Sequence, residues 1–320
     1  MDLSFFNLVE DDLARVENVL GRHPAGQHEA ISVAVDHLMA GGGKRLRPTL
    51  VLLSAHLCDA DIDRAIFAAA SAEMLHTATL VHDDLIDGSL IRRGVETLNA
   101  NWTPAATVLT GDYMFARAAH LVTQADNVRM TQRFAETLMT ICNGEIRQMF
   151  NGKSGQTDFK EYEQRIYAKT ARLIALSAES GAILANAHNS LEEALRSYGE
   201  RIGTAFQIVD DVLDFVADEE VLGKPVGSDL RQGLATLPVL LFLSSESDQQ
   251  TVRDVLEGDH SADAIGKAVQ AITDSQAIEQ ALATARQHVQ DAKKALDRFP
   301  DTSYRTALLD LADFTVDRRF

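Results

Sequence analysis

Residues 66–87 read IFAAASAEMLHTATLVHDDLID, and this stretch decides the fold class. Its first part, up to Val81, consists mostly of Ala, Leu, Met, Thr and Val, and a helix of that composition is normally buried on most of its sides. Carboxylates then follow on Asp83, Asp84 and Asp87. Asp83 and Asp87 lie one helical turn apart on the same face, where their like charges repel. A hard divalent cation such as Mg²⁺ prefers oxygen ligands and would reverse that repulsion.

The same pattern returns in residues 208–214, which read IVDDVLD and carry Asp210, Asp211 and Asp214. A single cluster of this kind is compatible with a solvated turn. Two clusters in hydrophobic helices instead predict two facing helices that direct their carboxylates into one cavity. Because Mg²⁺ usually binds one or two protein carboxylates and completes its coordination with water and substrate phosphate, the two clusters predict a polyphosphate ligand held through metal.

The composition is that of an acidic globular protein. The 320 residues are 46% hydrophobic and 24% charged, with a net charge of −17, which argues against a general affinity for nucleic acid or anionic membranes. The two cysteines do not form a CxxC pair, which favours a reducing compartment over a thiolate metal site. Residues 1–25 lack the apolar segment of a signal peptide, and no apolar run of the sequence is long enough to span a bilayer. We therefore expect a cytoplasmic protein without stable membrane insertion.

The fold class expected from these patterns is all-α. Proline occurs six times, mostly where the helical pattern already breaks, and the alternating patterns typical of strands are absent. No linker or change of composition divides the chain, so we expect a single all-helical domain over residues 1–320. The predicted helices cover residues 8–22, 26–39, 46–58, 62–87, 103–123, 127–149, 159–187, 190–216, 235–245, 261–272, 274–298 and 302–316.

Two basic segments are candidate anion sites in this acidic chain. Residues 41–48 read GGGKRLRP, and consecutive glycines allow the backbone to approach a ligand closely. The same segment is also compatible with a plain helix–loop–helix turn that has a basic rim. Arg92 and Arg93 follow the first Asp cluster; they suit phosphate oxygens, or they offset the charge of the neighbouring carboxylates.

Further polar side chains occur in or beside the predicted helices. Lys169, followed by Thr170, lies in a mostly apolar helix, so it either meets an anion or extends its stem to solvent. Gln207 lies about one turn before the second Asp cluster and contacts either a ligand or a neighbouring helix. Lys224 lies in residues 222–233, whose turn-forming residues predict a long loop of the kind that often covers an active site.

Taken together, these motifs resemble the trans-polyprenyl diphosphate synthase family, and residues 75–84 (LHTATLVHDD) are most similar to long-chain members that make quinone side chains. The resemblance implies the isoprenoid synthase fold, with antiparallel helices around a deep central cavity, and a homodimer. It also implies a head-to-tail condensation of an allylic diphosphate with isopentenyl diphosphate, with three Mg²⁺ ions in each active site. The matching motifs are GGKRLRP (42–48), DDLID (83–87), RRG (92–94), GD (111–112), KT (169–170), FQ (206–207), DDVLD (210–214) and GK (223–224).

The resemblance also implies roles for individual residues. The magnesium ligands would be Asp83, Asp87 and Asp210. The carboxylates that support them through water or hydrogen bonds would be Asp84, Asp211 and Asp214. The side chains that contact the allylic diphosphate would be Arg92, Lys169 and Lys224. The side chains that bind isopentenyl diphosphate would be Lys44, Arg47, His76 and Arg93. The side chains beside the carbocation would be Thr170 and Gln207.

The chemistry implied by the resemblance is electrostatic. Metal and cationic side chains stabilise the charge that develops on the departing pyrophosphate. The alkene of isopentenyl diphosphate, held close to the resulting allylic cation, attacks it, and the released pyrophosphate is the expected base for the final proton. Water has to be excluded, because it would convert the cation into an alcohol.

Two further features affect the binding of the allylic diphosphate and the length of the product. Many family members have a lysine where this chain has Leu234. That lysine contacts the allylic diphosphate, and we do not assign this contact to Leu234. Short-chain members have bulky aromatic residues four and five positions before the first Asp, where this chain has the small Thr79 and Ala78. Each unblocked helical turn of about 5.4 Å admits another prenyl unit. We therefore expect a long product, from heptaprenyl to decaprenyl, for example octaprenyl diphosphate.

Three other functions share some of these features. A geranylgeranyl diphosphate synthase would have the same motifs and a shorter product. A terpene cyclase or head-to-head synthase would lack the GGGKRLR segment joined to a second complete DDxxD. A non-catalytic subunit of a heteromeric synthase tends to lose one Asp cluster, and this chain keeps both.

Overall fold

The structure is a computed structural model that describes residues 4–40, 45–92, 94–151, 158–216, 226–246 and 248–317. These residues are mainly α-helical, which confirms the predicted all-α class. The helices are α1 (Ser4–Asn7), α2 (Glu10–Leu20), α3 (Glu29–Ala40), α4 (Leu46–Leu57), α5 (Ile62–Ile86), α6 (Leu98–Asn101), α7 (Pro104–Thr123), α8 (Val128–Asn151), α9 (Phe159–Ile166), α10 (Arg172–Leu184), α11 (Asn189–Val216), α12 (Ser228–Arg231), α13 (Leu237–Ser245), α14 (Gln250–Leu256), α15 (Ala262–Asp274), α16 (Ala277–Ala295) and α17 (Ser303–Val316).

The structure departs from the predicted helices in several places. The predicted helix 159–187 is interrupted, because a π-helical turn at Tyr167–Ala171 separates α9 from α10. Helix α14 was not expected from the sequence, and neither were the one-turn helices α1 and α6. Part of the predicted loop 222–233 is wrong as well, since α12 lies within it. Such short elements contain too few residues to show a helical period.

A small hairpin, not expected from the sequence, follows the first Asp cluster. Strands β1 (Ile91–Arg92) and β2 (Val95–Glu96) pair antiparallel, with Ile91 opposite Glu96 and Arg92 opposite Val95. Strands of two residues are too short to show the alternation that identifies a strand. The hairpin places Arg92 close to the end of α5.

Helix α5 forms because its sequence combines a good N-cap with a nearly continuous apolar surface. The Asp61 side chain accepts hydrogen bonds from the backbone N–H groups of Asp63 and Arg64, which satisfies two donors that the first helical turn leaves open. The helix packs against α4 and α7. Its buried face contains many small side chains that allow close packing, among them Ala65, Ala68, Ala69, Ala72 and Ala78.

The chain forms two compact units. The first consists of Met1–Thr137, Leu173–Ser197 and Leu296–Asp310, and it contains the first Asp cluster. The second consists of Leu138–Arg172, Tyr198–Ala295 and Leu311–Phe320, and it contains the second Asp cluster. The expectation of one domain over residues 1–320 stays a prediction. Among the helices that the structure describes, none is both long and apolar enough to cross a membrane.

Candidate active site

The first Asp cluster occupies the last turn of α5. The backbone N–H of Asp87 donates to the carbonyl oxygen of Asp83 at 2.8 Å, so the two residues are one turn apart as the spacing predicts. Asp83 is half-buried and Asp87 is exposed, whereas Asp84 is only 4% exposed. The cluster therefore presents two carboxylates to solvent and buries the third.

Arg92 neutralises the buried carboxylate of this cluster. Its Nε donates to Asp84 Oδ1 at 2.7 Å. Burial raises the pKa of Asp84, and the charge and hydrogen bond of Arg92 oppose that rise. The sequence allows two roles for Arg92, binding phosphate or offsetting the charge of a neighbouring carboxylate, and this contact corresponds to the second role. A contact with phosphate stays a prediction for Arg92, and Arg93 lies outside the described residues.

The Gly111–Asp112 pair supports the end of α5 from helix α7. A Cβ atom added to Gly111 would lie 2.2 Å from His82 Nε2, so the imidazole ring would have to shift if residue 111 carried a side chain. His82 Nε2 lies 3.2 Å from the carbonyl oxygen of Val108 and 3.6 Å from Asp112 Oδ1. Because His82 directly precedes Asp83, this packing helps to fix the position of the Asp cluster.

The basic segment at residues 41–48 is described only from Arg45 onward, so Lys44 lies outside the described residues. Arg47 is half-buried in the first turn of α4. Arg45 has a positive φ of 46°, a backbone conformation that is uncommon for residues other than glycine.

Arg45 is a structural residue that sequence reasoning missed. Its guanidinium donates to Glu73 Oε1 at 3.0 Å and to the carbonyl oxygen of Met39 at 3.2 Å, and it also pairs with Glu17. Glu73 is only 5% exposed. These contacts hold the strained backbone at the start of α4, directly before Arg47. The available sequence signal was Glu73 itself, a carboxylate inside the apolar stretch 66–81 that requires a cationic partner.

The residues expected to control substrate binding and product length lie on α5 before the Asp cluster. His76 and Thr79 are half-buried, and Thr79 Oγ1 donates to the carbonyl oxygen of His76 at 2.7 Å. Ala78 is completely buried. A helical wheel likewise places His76 and Thr79, but not Ala78, on the face of Asp83.

The second Asp cluster has the same spacing as the first but a different exposure. Asp210 is half-buried, whereas Asp211 is 3% and Asp214 is 1% exposed. Asp214 Oδ2 accepts a hydrogen bond from the backbone N–H of Asp229 at 3.0 Å, in the first turn of α12. The last Asp of this cluster therefore stabilises a helix start, while its counterpart Asp87 is exposed.

Asp211 belongs to a buried hydrogen-bond network within the second unit. Tyr162 Oη donates to Asp211 Oδ2 at 2.7 Å, and Gln207 Nε2 donates to Asp211 Oδ1 at 2.9 Å. Burial, with a contribution from Asp229, raises the pKa of Asp211 to about 7, and the two hydrogen bonds oppose the rise. Gln207 also accepts a hydrogen bond from Thr170 Oγ1 at 2.7 Å. The sequence allows either a ligand or a neighbouring helix as the partner of Gln207; its contact with Thr170 is with a neighbouring helical segment, and its contact with Asp211 is within α11.

Tyr162 is a second residue that sequence reasoning missed. It lies about two helical turns before Thr170, and it is only 2% exposed. Its spacing from Thr170 was the only sequence signal of a shared site, and the π-helical turn at Tyr167–Ala171 interrupts the regular helical spacing between the two residues. The π turn also contains Lys169, which is exposed and makes no ion pair with the described residues. π-Helical turns often occur at functional sites, and an exposed lysine here is accessible to an anion.

A cavity also lies in the second unit. Its volume is about 500 Å³, and Arg147 Nη1 donates to Gln164 Oε1 at 2.8 Å within it. None of the residues predicted from the sequence lines it. The lining residues are Thr140, Asn143, Gly144, Arg147, Gln148, Asp158, Lys160, Glu161, Gln164, Arg165, Tyr167 and Ala168.

The donor atoms of the two Asp clusters suit Mg²⁺. In the part of the chain that the structure describes, no three His, Cys, Asp or Glu side chains come together as a ready-made metal site. Mg²⁺ does not require one, because it completes its coordination with water and phosphate. The carboxylates that reach solvent are Asp83, Asp87 and Asp210. The buried ones, which accept hydrogen bonds from protein groups, are Asp84, Asp211 and Asp214. Lys224 lies outside the described residues.

Known proteins resemble the chain over nearly its whole length. A family model described as polyprenyl synthetase matches residues 28–273. The chain is 38% identical to heptaprenyl diphosphate synthase component 2 of Geobacillus stearothermophilus, covering 99% of both chains. It is 37% identical to octaprenyl diphosphate synthase of Haemophilus influenzae, covering 89% of this chain and 87% of the relative. The crystal structure of a polyprenyl synthase from Caulobacter crescentus CB15, complexed with calcium and isoprenyl diphosphate, superposes with a TM-score of 0.93 at 36% identity, covering 100% of this chain and 98% of that one.

Proposed function

The chain belongs to the polyprenyl synthetase family, and we propose that it is a trans-polyprenyl diphosphate synthase that condenses an allylic diphosphate with isopentenyl diphosphate in a head-to-tail reaction. It is a prenyltransferase with the isoprenoid synthase fold. The observation that carries the proposal is the family match over residues 28–273, a range that contains both Asp clusters and every basic motif of the sequence.

The proposed metal ligands are Asp83, Asp87 and Asp210. Their exposure supports this role, because they are the cluster carboxylates that reach solvent. Bound Mg²⁺, in three copies for each active site, would supply positive charge against the leaving pyrophosphate. The buried Asp84, Asp211 and Asp214 instead hold neighbouring groups of the protein in place.

The cationic side chains bind the two diphosphates in this proposal. The exposed Lys169 suits an anionic ligand, and Arg92, already paired with Asp84, keeps further guanidinium donors for phosphate. The allylic diphosphate is assigned to Arg92, Lys169 and Lys224. Isopentenyl diphosphate is assigned to Lys44, Arg47, His76 and Arg93. Thr170 and Gln207 are assigned to the position where the carbocation forms.

A long-chain product follows from the small residues before the first Asp cluster, together with the relatives named above. Ala78 and Thr79 provide no aromatic barrier, so the chain can extend by further prenyl units. We place the product in the heptaprenyl to decaprenyl range, suited to quinone side chains. A geranylgeranyl product is the alternative, and the length of the product separates the two.

The test is incorporation of radiolabelled isopentenyl diphosphate into an extractable product, with farnesyl diphosphate and Mg²⁺. The purified wild-type protein is expected to form product, and removal of Mg²⁺ with a chelator is expected to stop it. If the protein forms product only together with a second subunit, the homodimer in this proposal is wrong; if it forms no prenyl product even then, the proposed activity is wrong.

A homodimer is also part of the proposal. Helix α8 exposes an apolar stripe, Met139, Ile146 and Met149, with spacings of seven and three residues, and this spacing is typical of helices that pack against another helix. The exposed fractions are 71% for Met139, 53% for Ile146 and 54% for Met149. A heteromeric partner is the alternative, because one relative is named as a component 2. A cytoplasmic location stays a proposal based on the cysteine pattern.

A further inference from the structure

Four side chains of the second unit form one continuous chain of hydrogen bonds. Tyr162 donates to Asp211 at 2.7 Å, Gln207 donates to the other oxygen of Asp211 at 2.9 Å, and Thr170 donates to Gln207 at 2.7 Å. The links come from three elements, α9, the π-helical turn and α11. The roles implied by the family resemblance assign nothing to Tyr162.

With Asp211 ionised, every bond of this chain has one direction. The carboxylate then only accepts hydrogen bonds, and the Gln207 amide turns its NH₂ group towards Asp211. Its carbonyl oxygen then faces Thr170, whose single hydroxyl proton is used in donating to it. Thr170 Oγ1 therefore offers only lone pairs to any further partner.

Burial makes this orientation stable. Tyr162 is 2%, Asp211 3% and Thr170 8% exposed, so bulk water cannot easily replace a lost partner. Arg165 holds the tyrosine ring from one face, with its guanidinium carbon 5.5 Å from the ring centre, and donates to the carbonyl oxygen of Ala235 at 2.8 Å.

We propose that Tyr162 is a positioning residue of the condensation: its hydroxyl holds the Asp211 carboxylate, which orients Gln207 and thereby keeps the lone pairs of Thr170 turned towards the developing carbocation. The inference rests on the proposed function, which places Thr170 and Gln207 beside that cation. A preorganised row of lone pairs stabilises positive charge without reorganisation during the reaction. Tyr162 itself does not touch substrate.

The first variant is Tyr162→Phe, which removes the hydroxyl and keeps the ring. With that donor gone, the Asp211 carboxylate is free to turn, and Gln207 and Thr170 lose their fixed orientation. The expected result is a kcat about ten-fold lower, with the KM for isopentenyl diphosphate unchanged. The matched control is Tyr198→Phe, since Tyr198 is a completely buried tyrosine of the same unit; its kcat is expected to equal that of the wild type.

A double-mutant cycle with Thr170→Val tests whether Tyr162 acts through Thr170. In the Thr170→Val background the hydroxyl to be oriented is absent. Tyr162→Phe should then change kcat by less than about two-fold, because residues of one network are not additive. A residue that only stabilises the fold would lower the melting temperature and leave kcat per folded enzyme unchanged.

A second variant keeps the test decisive if Tyr162→Phe does not fold. Asp211→Asn has the same shape, but its new NH₂ group turns towards Gln207 when its oxygen accepts from Tyr162. Gln207 then turns its own NH₂ towards Thr170, and the Thr170 proton points away from Gln207. The same cycle, with Thr170→Val, should again show a loss of kcat that disappears when the hydroxyl is absent.

The outcomes separate the inference from the proposed function. A lower kcat for Tyr162→Phe that is lost in the Thr170→Val background supports the inference. A kcat close to wild type, an equal loss in both backgrounds, or an equal loss in Tyr198→Phe overturns it. If the wild-type protein forms no prenyl product, the proposed function fails, whatever the variants show.

Discussion

Asp83 and Asp84 are neighbours in sequence with different environments. Asp83 is half-buried at the end of α5, while Asp84 is buried against Arg92. Adjacent residues of a helix point in different directions, so one spacing pattern yields one carboxylate that reaches solvent and one that contacts another group of the protein. The same division separates Asp210 from Asp211.

Replacement of Asp83 tests the ligand role. If Asp83 is a metal ligand as proposed, Asp83→Asn should lower kcat by about 100-fold or more, because the metal would stabilise the leaving group, and it should leave the melting temperature nearly unchanged. The measurement is product formation at saturating substrate with increasing Mg²⁺. The control is Asp310→Asn, the same change at an exposed position of α17. Equal activities of the two variants would contradict the assignment.

Asp211 makes the stability of the metal-free protein depend on pH. Its folded pKa of about 7 lies above the ordinary value of 3.8, so between these values the folded state binds the proton more tightly than the unfolded state. The free energy of unfolding should therefore fall as pH rises through that window, by no more than about 4 kcal/mol. Urea unfolding at several pH values measures this fall.

Asp211→Asn provides the comparison for that pH dependence. The amide does not titrate, so the variant should show a flatter dependence than the wild type over the same window. Parallel curves for the two proteins would contradict the raised pKa of Asp211.

Sequence patterns predicted the carboxylates of the two Asp clusters but missed side chains that form hydrogen bonds with buried carboxylates. The two DDxxD motifs are visible because carboxylates are unusual in apolar helices. Tyr162 and Arg45 were missed because their partners, Asp211 and Glu73, come from other elements. A long-range contact of this kind leaves no periodic signal in the sequence.

At the scale of elements, α5 packs on α7 with one close approach at Gly111. A Cβ atom at residue 111 would overlap the His82 ring at 2.2 Å. Gly111→Ala should therefore displace the end of α5 and destabilise the protein by about 1–3 kcal/mol. It should also raise the Mg²⁺ concentration needed for half-maximal activity, since His82 precedes Asp83.

The melting temperature of Gly111→Ala measures this effect, and the chain offers a matched control. Gly266 lies in helix α15 with no atom within 4 Å of an added Cβ. Gly266→Ala should be neutral or slightly stabilising, because alanine is the better helix former. If Gly111→Ala and Gly266→Ala have the same melting temperature, the packing argument is wrong.

Long elements were predicted well from the sequence, and short or irregular ones were not. Helices α5, α7 and α11 carry many apolar residues at helical spacing, so their positions agree with the predicted ranges to within a few residues. The π-helical turn at Tyr167–Ala171 changes one local hydrogen-bond pattern, and the residue composition gives no sign of it. The exposed Lys169 and the buried Thr170 both lie in this turn.

At the scale of the whole molecule, the apolar stripe on α8 predicts self-association. Met139→Asp places a charge in the stripe and should convert a dimer into a monomer of 35.0 kDa. Gln290→Asp is the control, since Gln290 is exposed on a different helix, α16. Light scattering after size-exclusion chromatography gives the molar mass. A wild-type monomer, or an unchanged mass for Met139→Asp, would contradict this interface.

The most direct test of the central claim is the length of the product made by the purified wild-type protein. Farnesyl diphosphate, excess isopentenyl diphosphate and Mg²⁺ are incubated with the enzyme, and the dephosphorylated products are separated by reversed-phase chromatography and identified by mass. The expected result is one main all-trans polyprenol between heptaprenol and decaprenol. Recovery of unreacted farnesol alone, or of a cyclic or head-to-head hydrocarbon, would contradict it.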